Sequence, residues 1–367
     1  MITWCNSIYK RSYKVLNSLS CISSLSTIIV PNRIFYRISG VDSRKFLQGI
    51  CTNDVNKLDK HGDCIAAAFL TPGGRIVADA LLYNVENNII IETHSSLGNS
   101  LDRYLRVYKL RSKVTIETLE LKCVLEINDV STKDLKELVK SRGAMVGAID
   151  PRTNEMGTRF LVPKGKGNDD NKSLELWYDR FRLTRGIAEG PPIVDRIPLE
   201  CNLDLLNYIS FSKGCYVGQE LTARTKYKGL VRKRLIPFTT TSSSINNGPF
   251  HPIDEQYLAE SKKDTAIDDT SAKSNVNAND RIFLSIDGIV QGNIDKASSI
   301  GEVVDTSSGV GVAMMRLTNI LTKETTNTQF VTSTNQGINT FRPSWFPTID
   351  PVTGKAMDDH LKDHVHD

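Results

Sequence analysis

Cys215 is the residue whose type and setting offer the most chemistry. It stands in Lys213-Gly214-Cys215-Tyr216-Val217-Gly218-Gln219-Glu220, with a glycine directly before it and another shortly after. Both glycines can take positive φ and let the backbone approach a ligand with no Cβ in the way. Lys213, with Arg224, Lys226 and Lys228 downstream, favours thiolate over thiol if these cations lie near the sulfur. A thiolate binds soft metals and attacks electrophiles. A cysteine buried in a glycine turn is instead a small hydrophobe, and residue chemistry alone leaves both readings of Cys215 open. Glu220 suits the first turn of a following helix, where the positive end of the macrodipole favours an acid.

Six basic residues and no acid occur between Arg224 and Arg234, interleaved with Tyr227, Leu230 and Val231. They form either a solvated strand face or an electropositive rim for an anionic partner such as an acidic protein or RNA. No recognised RNA-binding motif accompanies them, so nucleic acid is disfavoured. Arg103, Arg106 and Lys109 lie on a helix that extends this surface if the two meet. His360 and His364 have helical metal-ligand spacing, but they lie in a polar terminal tail, and no histidine stands beside a visible nucleophile and acid.

The elements that position these residues are bounded by composition. A chain of 367 residues exceeds what one core usually serves, so two folded units with tails are expected. Its 40% hydrophobic and 24% charged residues are ordinary for a globular protein. The longest apolar runs fall well short of the roughly 20 residues of a membrane helix, so no membrane span is expected. The net charge of +4 implies no polyanion partner unless the basic residues cluster. Seven cysteines with no CxxC pair suit a reducing compartment rather than a disulfide framework or a zinc site.

Residues 1–31 have the pattern of a mitochondrial transit peptide: Lys10, Arg11 and Lys14 are basic, serines recur, and no acid precedes Asp42. Strands are predicted over 34–39, 65–70, 76–83, 88–93, 113–117 and 122–127, with helices from Asp42 or Ser43 as cap, over 97–110 and over 133–141. Hairpins beside βα steps argue an α+β class. Short β segments over 230–238, 281–284, 288–291, 301–305 and 309–317 suit a small barrel, interrupted by a polar insertion over about 240–280. After Pro347 the chain turns polar and is expected to fray.

The signature around Cys215, extended by Ala223-Arg224-Thr225-Lys226-Tyr227-Lys228-Gly229, resembles that of the YgfZ family, which shares the GcvT-like fold of the folate-dependent aminomethyltransferase of glycine cleavage. Phe46-Leu47-Gln48-Gly49, Thr52-Asn53-Asp54, Leu70-Thr71-Pro72-Gly73-Gly74-Arg75, Leu110-Arg111-Ser112-Lys113-Val114 and Ile197-Pro198-Leu199-Glu200 agree in the family's order. The likeness runs from about Ile34 to Leu317. It implies a folate-binding-type domain with ferredoxin-like βαβ elements over 32–228, a small β-barrel over 229–330 and a tail over 331–367.

For a member with an import sequence, the resemblance further implies a mitochondrial matrix factor. Such a factor matures four-iron four-sulfur proteins, among them aconitase and the radical-SAM enzymes that make lipoate and biotin. Cys215 then ligates a transient iron-sulfur cluster shared with an A-type scaffold protein. Lys213, Gly214, Tyr216, Gly218, Gln219, Glu220 and Arg224 line that site, with the cations offsetting cluster charge. Non-enzymatic assembly is the leading expectation, with a tetrahydrofolate-dependent one-carbon or redox enzyme and a tRNA-modification accessory as alternatives. The chain departs from the aminomethyltransferase pattern in two places. Ala78-Asp79 stands where that enzyme has two adjacent acids, and Asp79 is read as a solvent-facing strand residue. Arg182-Leu183-Thr184-Arg185-Gly186 puts a neutral threonine where its glutamate contacts the pterin. A hydroxyl cannot accept the paired N–H donors that a carboxylate takes, which weakens a folate pocket.

Overall fold

The computed structural model describes residues 27–127, 132–165, 172–240, 251–252, 276–286, 289–290, 299–321, 328–350, 353–354 and 356. In chain order, the first half holds β1 (Thr27–Val30), β2 (Arg33–Ser39), α1 (Ser43–Ile50), β3 (Cys64–Leu70), β4 (Ile76–Val85), β5 (Asn88–His94), α2 (Gly98–Lys109), β6 (Thr115–Leu119), β7 (Leu121–Glu126), α3 (Thr132–Ser141), β8 (Val146–Ile149), β9 (Thr158–Pro163), α4 (Lys172–Leu183) and α5 (Gln219–Tyr227). The second half holds β10 (Lys233–Thr240), β11 (His251–Pro252), β12 (Arg281–Ile286), β13 (Ile289–Val290), β14 (Gly301–Ser307), β15 (Val310–Arg316), α6 (Leu317–Leu321), β16 (Thr328–Thr332) and β17 (Gly337–Arg342).

The α+β domain has a five-stranded sheet in the order β3-β4-β5-β2-β6 and a four-stranded sheet in the order β1-β7-β9-β8. Both faces of the larger sheet are covered at β3 and β4, whose nearly unbroken apolar runs send successive side chains to opposite faces. Ile65, Ala67 and Phe69 of β3 face one core with Ala78, Ala80 and Leu82 of β4, while Ala66, Ala68 and Leu70 face another. The first core is closed by Phe46, Leu47 and Ile50 of α1 and by Leu101, Tyr104 and Leu105 of α2. These residues fall three and four positions apart, which gathers them on one helical stripe. Leu47 is fully buried, so cutting it to alanine costs about 2–5 kcal/mol. Asp42 is the N-cap residue of α1, yet its side chain bonds no helix N–H and instead accepts from the Lys113 amide at 2.7 Å.

The second unit is a closed six-stranded barrel, β10-β15-β14-β12-β16-β17, sealed by the pairing of β17 with β10. Closure leaves no open edge. Its interior holds Ile236, Phe238, Ile282, Val303, Ala313, Met315 and Ile338.

Three boundaries differ from expectation. β1 falls inside the segment assigned to a leader, but it pairs with β7 from Thr27↔Glu126 to Val30↔Cys123, so the domain begins no later than Thr27. β17 falls inside the segment assigned to a tail, but its pairing with β10 closes the barrel. Beyond it, Ile349 is buried and bridges Ala356, so the described residues after Pro347 include packed ones. The rest of the leader, most of the insertion and the three terminal histidines lie outside the described residues.

Candidate functional site

Cys215 sits in a loop that enters α5 at Gly218, the N-cap residue, with φ +79. A Cβ built on Gly218 would stand 2.5 Å from the Thr71 carbonyl oxygen and 2.7 Å from Leu70 Cβ. The opposing turn is equally tight: a Cβ on Gly74, at φ +81, would stand 2.6 Å from Leu221 Cβ. The loop is thus keyed into the β3–β4 turn by two glycines that no other residue replaces without displacement. Gly214 behaves differently from expectation, because it has no positive φ and nothing lies within 4 Å of its virtual Cβ. The space above it is open.

Lys213 also departs from expectation. Only 8% exposed, it donates from Nζ to the carbonyls of Gln48, Cys51 and Asn53 at 2.7, 2.7 and 2.9 Å. An ammonium has three donors, so all are engaged by backbone. Its charge lies 4.9 Å from the centre of the buried Tyr216 ring. Burial lowers the Lys213 pKa. The lysine therefore fastens the loop to the chain after α1 and has no N–H left for a ligand beside Cys215. The Val217 amide adds a bond to the Gly49 carbonyl at 3.1 Å.

Cys215 is exposed, whereas Cys51, Cys123 and Cys201 are buried and Cys64 is half-buried. Burial raises the Cys51 and Cys201 thiols, the latter to about 12, so neither competes as a thiolate. Glu220 is exposed in the first turn of α5, Gln219 is half-buried at its start, and Arg224 is exposed in its last turn. Of the basic run, Lys226 lies 5.0 Å from the Phe211 ring centre, and Lys228, Arg232 and Lys233 are exposed. Arg234 leaves the rim: it is 1% exposed and forks onto Asp204 at 2.9 Å from each terminal nitrogen. No group of three potential metal-ligating side chains occurs among the described residues.

A buried ion network lies apart from this loop, and the sequence signals it only at Glu92 and Arg159, single charges inside strands. Arg159 of β9 pairs with Glu92 of β5, and Glu189 takes Arg33 and Arg152 on its two oxygens. Burial alone would raise the Glu189 carboxyl, but the guanidinium groups of Arg33, Arg152 and Arg182 outweigh it and hold it well below the usual carboxylate range. Arg182 also reaches Asp305 of the barrel at 2.8 Å, joining the two units. Above the network is a cavity of about 190 Å³ lined by Arg33, His94, Tyr178, Arg182 and Glu189 among others.

Asp79 is corrected by the same region. It is 4% exposed rather than solvent-facing, because both faces of its sheet are covered, and its Oδ1 accepts from the Gly190 amide at 2.8 Å. Burial and the nearby Glu189 charge raise its pKa. Thr184, at the pterin-contacting position, donates its hydroxyl to the Phe181 carbonyl at 2.9 Å and supplies no carboxylate.

No family model matches the chain. It is 33% identical over 260 residues to the mitochondrial iron-sulfur cluster assembly factor IBA57 homolog of Neurospora crassa, a match covering 64% of this chain and 58% of that protein. The chain thus spans little more than half the length of that relative. The Phaeosphaeria nodorum homolog of the same name is 30% identical over 298 residues, covering 76% of this chain and 72% of its own length. The chain belongs to the IBA57 family of mitochondrial iron-sulfur cluster assembly factors. The solved aminomethyltransferase T of the glycine cleavage system from Bartonella henselae matches with a TM-score of 0.58 at 13% identity, over 90% of this chain and 87% of its own. That likeness establishes a GcvT-like fold for this IBA57-family chain and says nothing of its chemistry. No helix among the described residues is long and apolar enough to cross a membrane.

Proposed function

We propose that this chain matures four-iron four-sulfur clusters in the mitochondrial matrix by lending the Cys215 thiolate to a cluster held jointly with an A-type scaffold protein. The observation that carries the reading is the exposure of Cys215, on a loop fixed by Lys213 and Gly218, while every other described cysteine is buried or half-buried. Iron-sulfur clusters take several cysteine ligands, and with one exposed thiol among the described residues the rest come from a partner. The cluster is cargo, and the chain's contribution is placement. Cys215 loses its proton to solvent as it ligates iron. The open space above Gly214 admits the partner's backbone, and exposed Arg224, Lys228 and Arg232 supply the positive field that Lys213 does not.

The proteins that receive such clusters are aconitase and the radical-SAM enzymes making lipoate and biotin. In cells depleted of the protein, re-expression of the wild-type chain restores protein lipoylation and aconitase activity. Cys215→Ala accumulates equally and restores neither. Full restoration by Cys215→Ala overturns the reading.

A further inference from the structure

A second surface adjoins the Cys215 loop. The groove between α1 and the C-terminal end of α2 has a volume of about 660 Å³ and a floor of Phe46, Ile50 and Tyr108. Its rim carries large apolar side chains in the open: Leu110 is 84% exposed, and Val41, next to the groove residue Asp42, is 86% exposed. Leu110 also has φ +45 and ψ −117, a conformation that a Cβ disfavours. An exposed leucine held in a strained turn is costly twice over, and such strain concentrates at binding sites.

The charges are one-sided. Lys45 and Arg111 line the groove, both exposed, and neither has an ion pair among the described residues. Asp42 is the acid of the lining, and it is engaged by the Lys113 amide. Gly49 belongs to the same wall, and its carbonyl takes the Val217 amide at 3.1 Å. Cys215 precedes Val217 by two residues, so their Cα atoms are at most about 7 Å apart. A protein that brings a cluster to Cys215 therefore comes up against this groove.

We propose that the groove is the docking surface for an acidic segment with a bulky apolar side chain, carried by the protein that shares the cluster. The apolar side chain fills the floor beside Leu110, and the acids meet Lys45 and Arg111. This inference rests on the shared-ligand reading of Cys215. An apolar floor flanked by two cations suits a protein segment better than RNA, which binds through phosphates and stacked bases.

The test titrates the full chain, anaerobically, against an A-type scaffold protein in apo and cluster-loaded forms. Leu110→Gly removes the strained Cβ and is expected to melt no lower than wild type, yet to weaken binding of both scaffold forms about tenfold. Lys45→Glu with Arg111→Glu weakens both and reduces the salt dependence, of which Arg224, Lys228 and Arg232 keep a part. Cys215→Ser weakens the loaded form alone. Groove variants that bind like wild type while Cys215→Ser loses the loaded scaffold overturn the groove and leave the Cys215 reading standing. Groove variants that fail while Cys215→Ser binds the loaded scaffold like wild type overturn the Cys215 reading and leave the groove. Absence of wild-type binding overturns both. Self-association of the chain lost in Leu110→Gly assigns the groove to a second copy, and binding of a single-stranded RNA lost in the charge variant assigns it to nucleic acid. Either result overturns the proposed occupant.

Discussion

Lys213 Nζ donates to the Cys51 carbonyl at 2.7 Å, so the lysine that stands two residues before the exposed cysteine is bound to the chain beneath it. The positive charge expected to activate the thiol instead fixes the loop that carries it. Cys215 is presented by a rigid mount rather than by a basic pocket.

The mount is tested by Lys213→Met, which keeps an unbranched apolar stem and removes the ammonium. The carbonyls of Gln48, Cys51 and Asn53 lose their shared donor, and an unmet buried acceptor costs about 1–3 kcal/mol. Urea unfolding should show a loss on the order of 2 kcal/mol. An unchanged midpoint would show that water replaces the clamp without cost.

The two glycines flanking Cys215 should respond differently. Gly218→Ala forces a β-carbon into a left-handed conformation, worth about 1–2 kcal/mol, and against the Thr71 carbonyl at 2.5 Å. Its total destabilisation should exceed about 2 kcal/mol. Gly214→Ala, with open space and no positive φ, should stay within about 0.5 kcal/mol of wild type. Thermal melts of the pair decide whether the second glycine is there for packing.

How far the sequence revealed this fold and site depended on the kind of information needed. The α+β class followed from hairpins standing beside βα steps, with β3 and β4 legible as apolar runs joined by a Pro-Gly-Gly turn and α1 and α2 as amphipathic helices. The Cys215 loop stood out through the likeness of its long, contiguous signature to the YgfZ family, since residue chemistry alone left the role of the thiol open. β1 was hidden because Thr27–Val30 directly follows a basic, serine-rich segment, and a short strand acquires meaning only from its partner β7. β17 was hidden for the same reason, since closure of a barrel is a long-range pairing. The direction of the Lys213 side chain was invisible as well. Its three acceptors lie more than 150 positions away, and nothing local distinguishes a buried ammonium from an exposed one.

Glu189→Gln probes the buried ion network. It leaves Arg33 and Arg152 short of their counter-charge, and breaking a buried pair in this way costs about 3–5 kcal/mol at neutral pH. The folded-state carboxyl of Glu189 lies well below its unfolded value of about 4.3. Its stabilisation is thus present in full above that value and is lost as pH falls toward the folded one. Stability measured from pH 7 down to pH 3 should fall for wild type and fall less for Glu189→Gln.

Asp79→Asn should act in the opposite sense. The folded-state pKa of Asp79 is raised, so its contribution is greatest below the unfolded value of about 3.9 and declines as pH rises through the folded value. Asparagine keeps an oxygen for the Gly190 amide and carries no charge to repel Glu189. The variant should melt higher than wild type at pH 7 and match it near pH 3, as read by calorimetry. A lower melting point at pH 7 would mean that the Asp79 charge is itself needed.

The sharing of one sulfur between two proteins is tested most directly by native mass spectrometry of the chain mixed anaerobically with a cluster-loaded A-type scaffold. Wild type should give a heterocomplex whose mass includes iron and sulfide. Cys215→Ser, which replaces an exposed side chain and should unfold within about 0.5 kcal/mol of wild type, should give no cluster-bearing heterocomplex. Equal amounts of the cluster-bearing heterocomplex from both proteins would show that Cys215 is not its ligand.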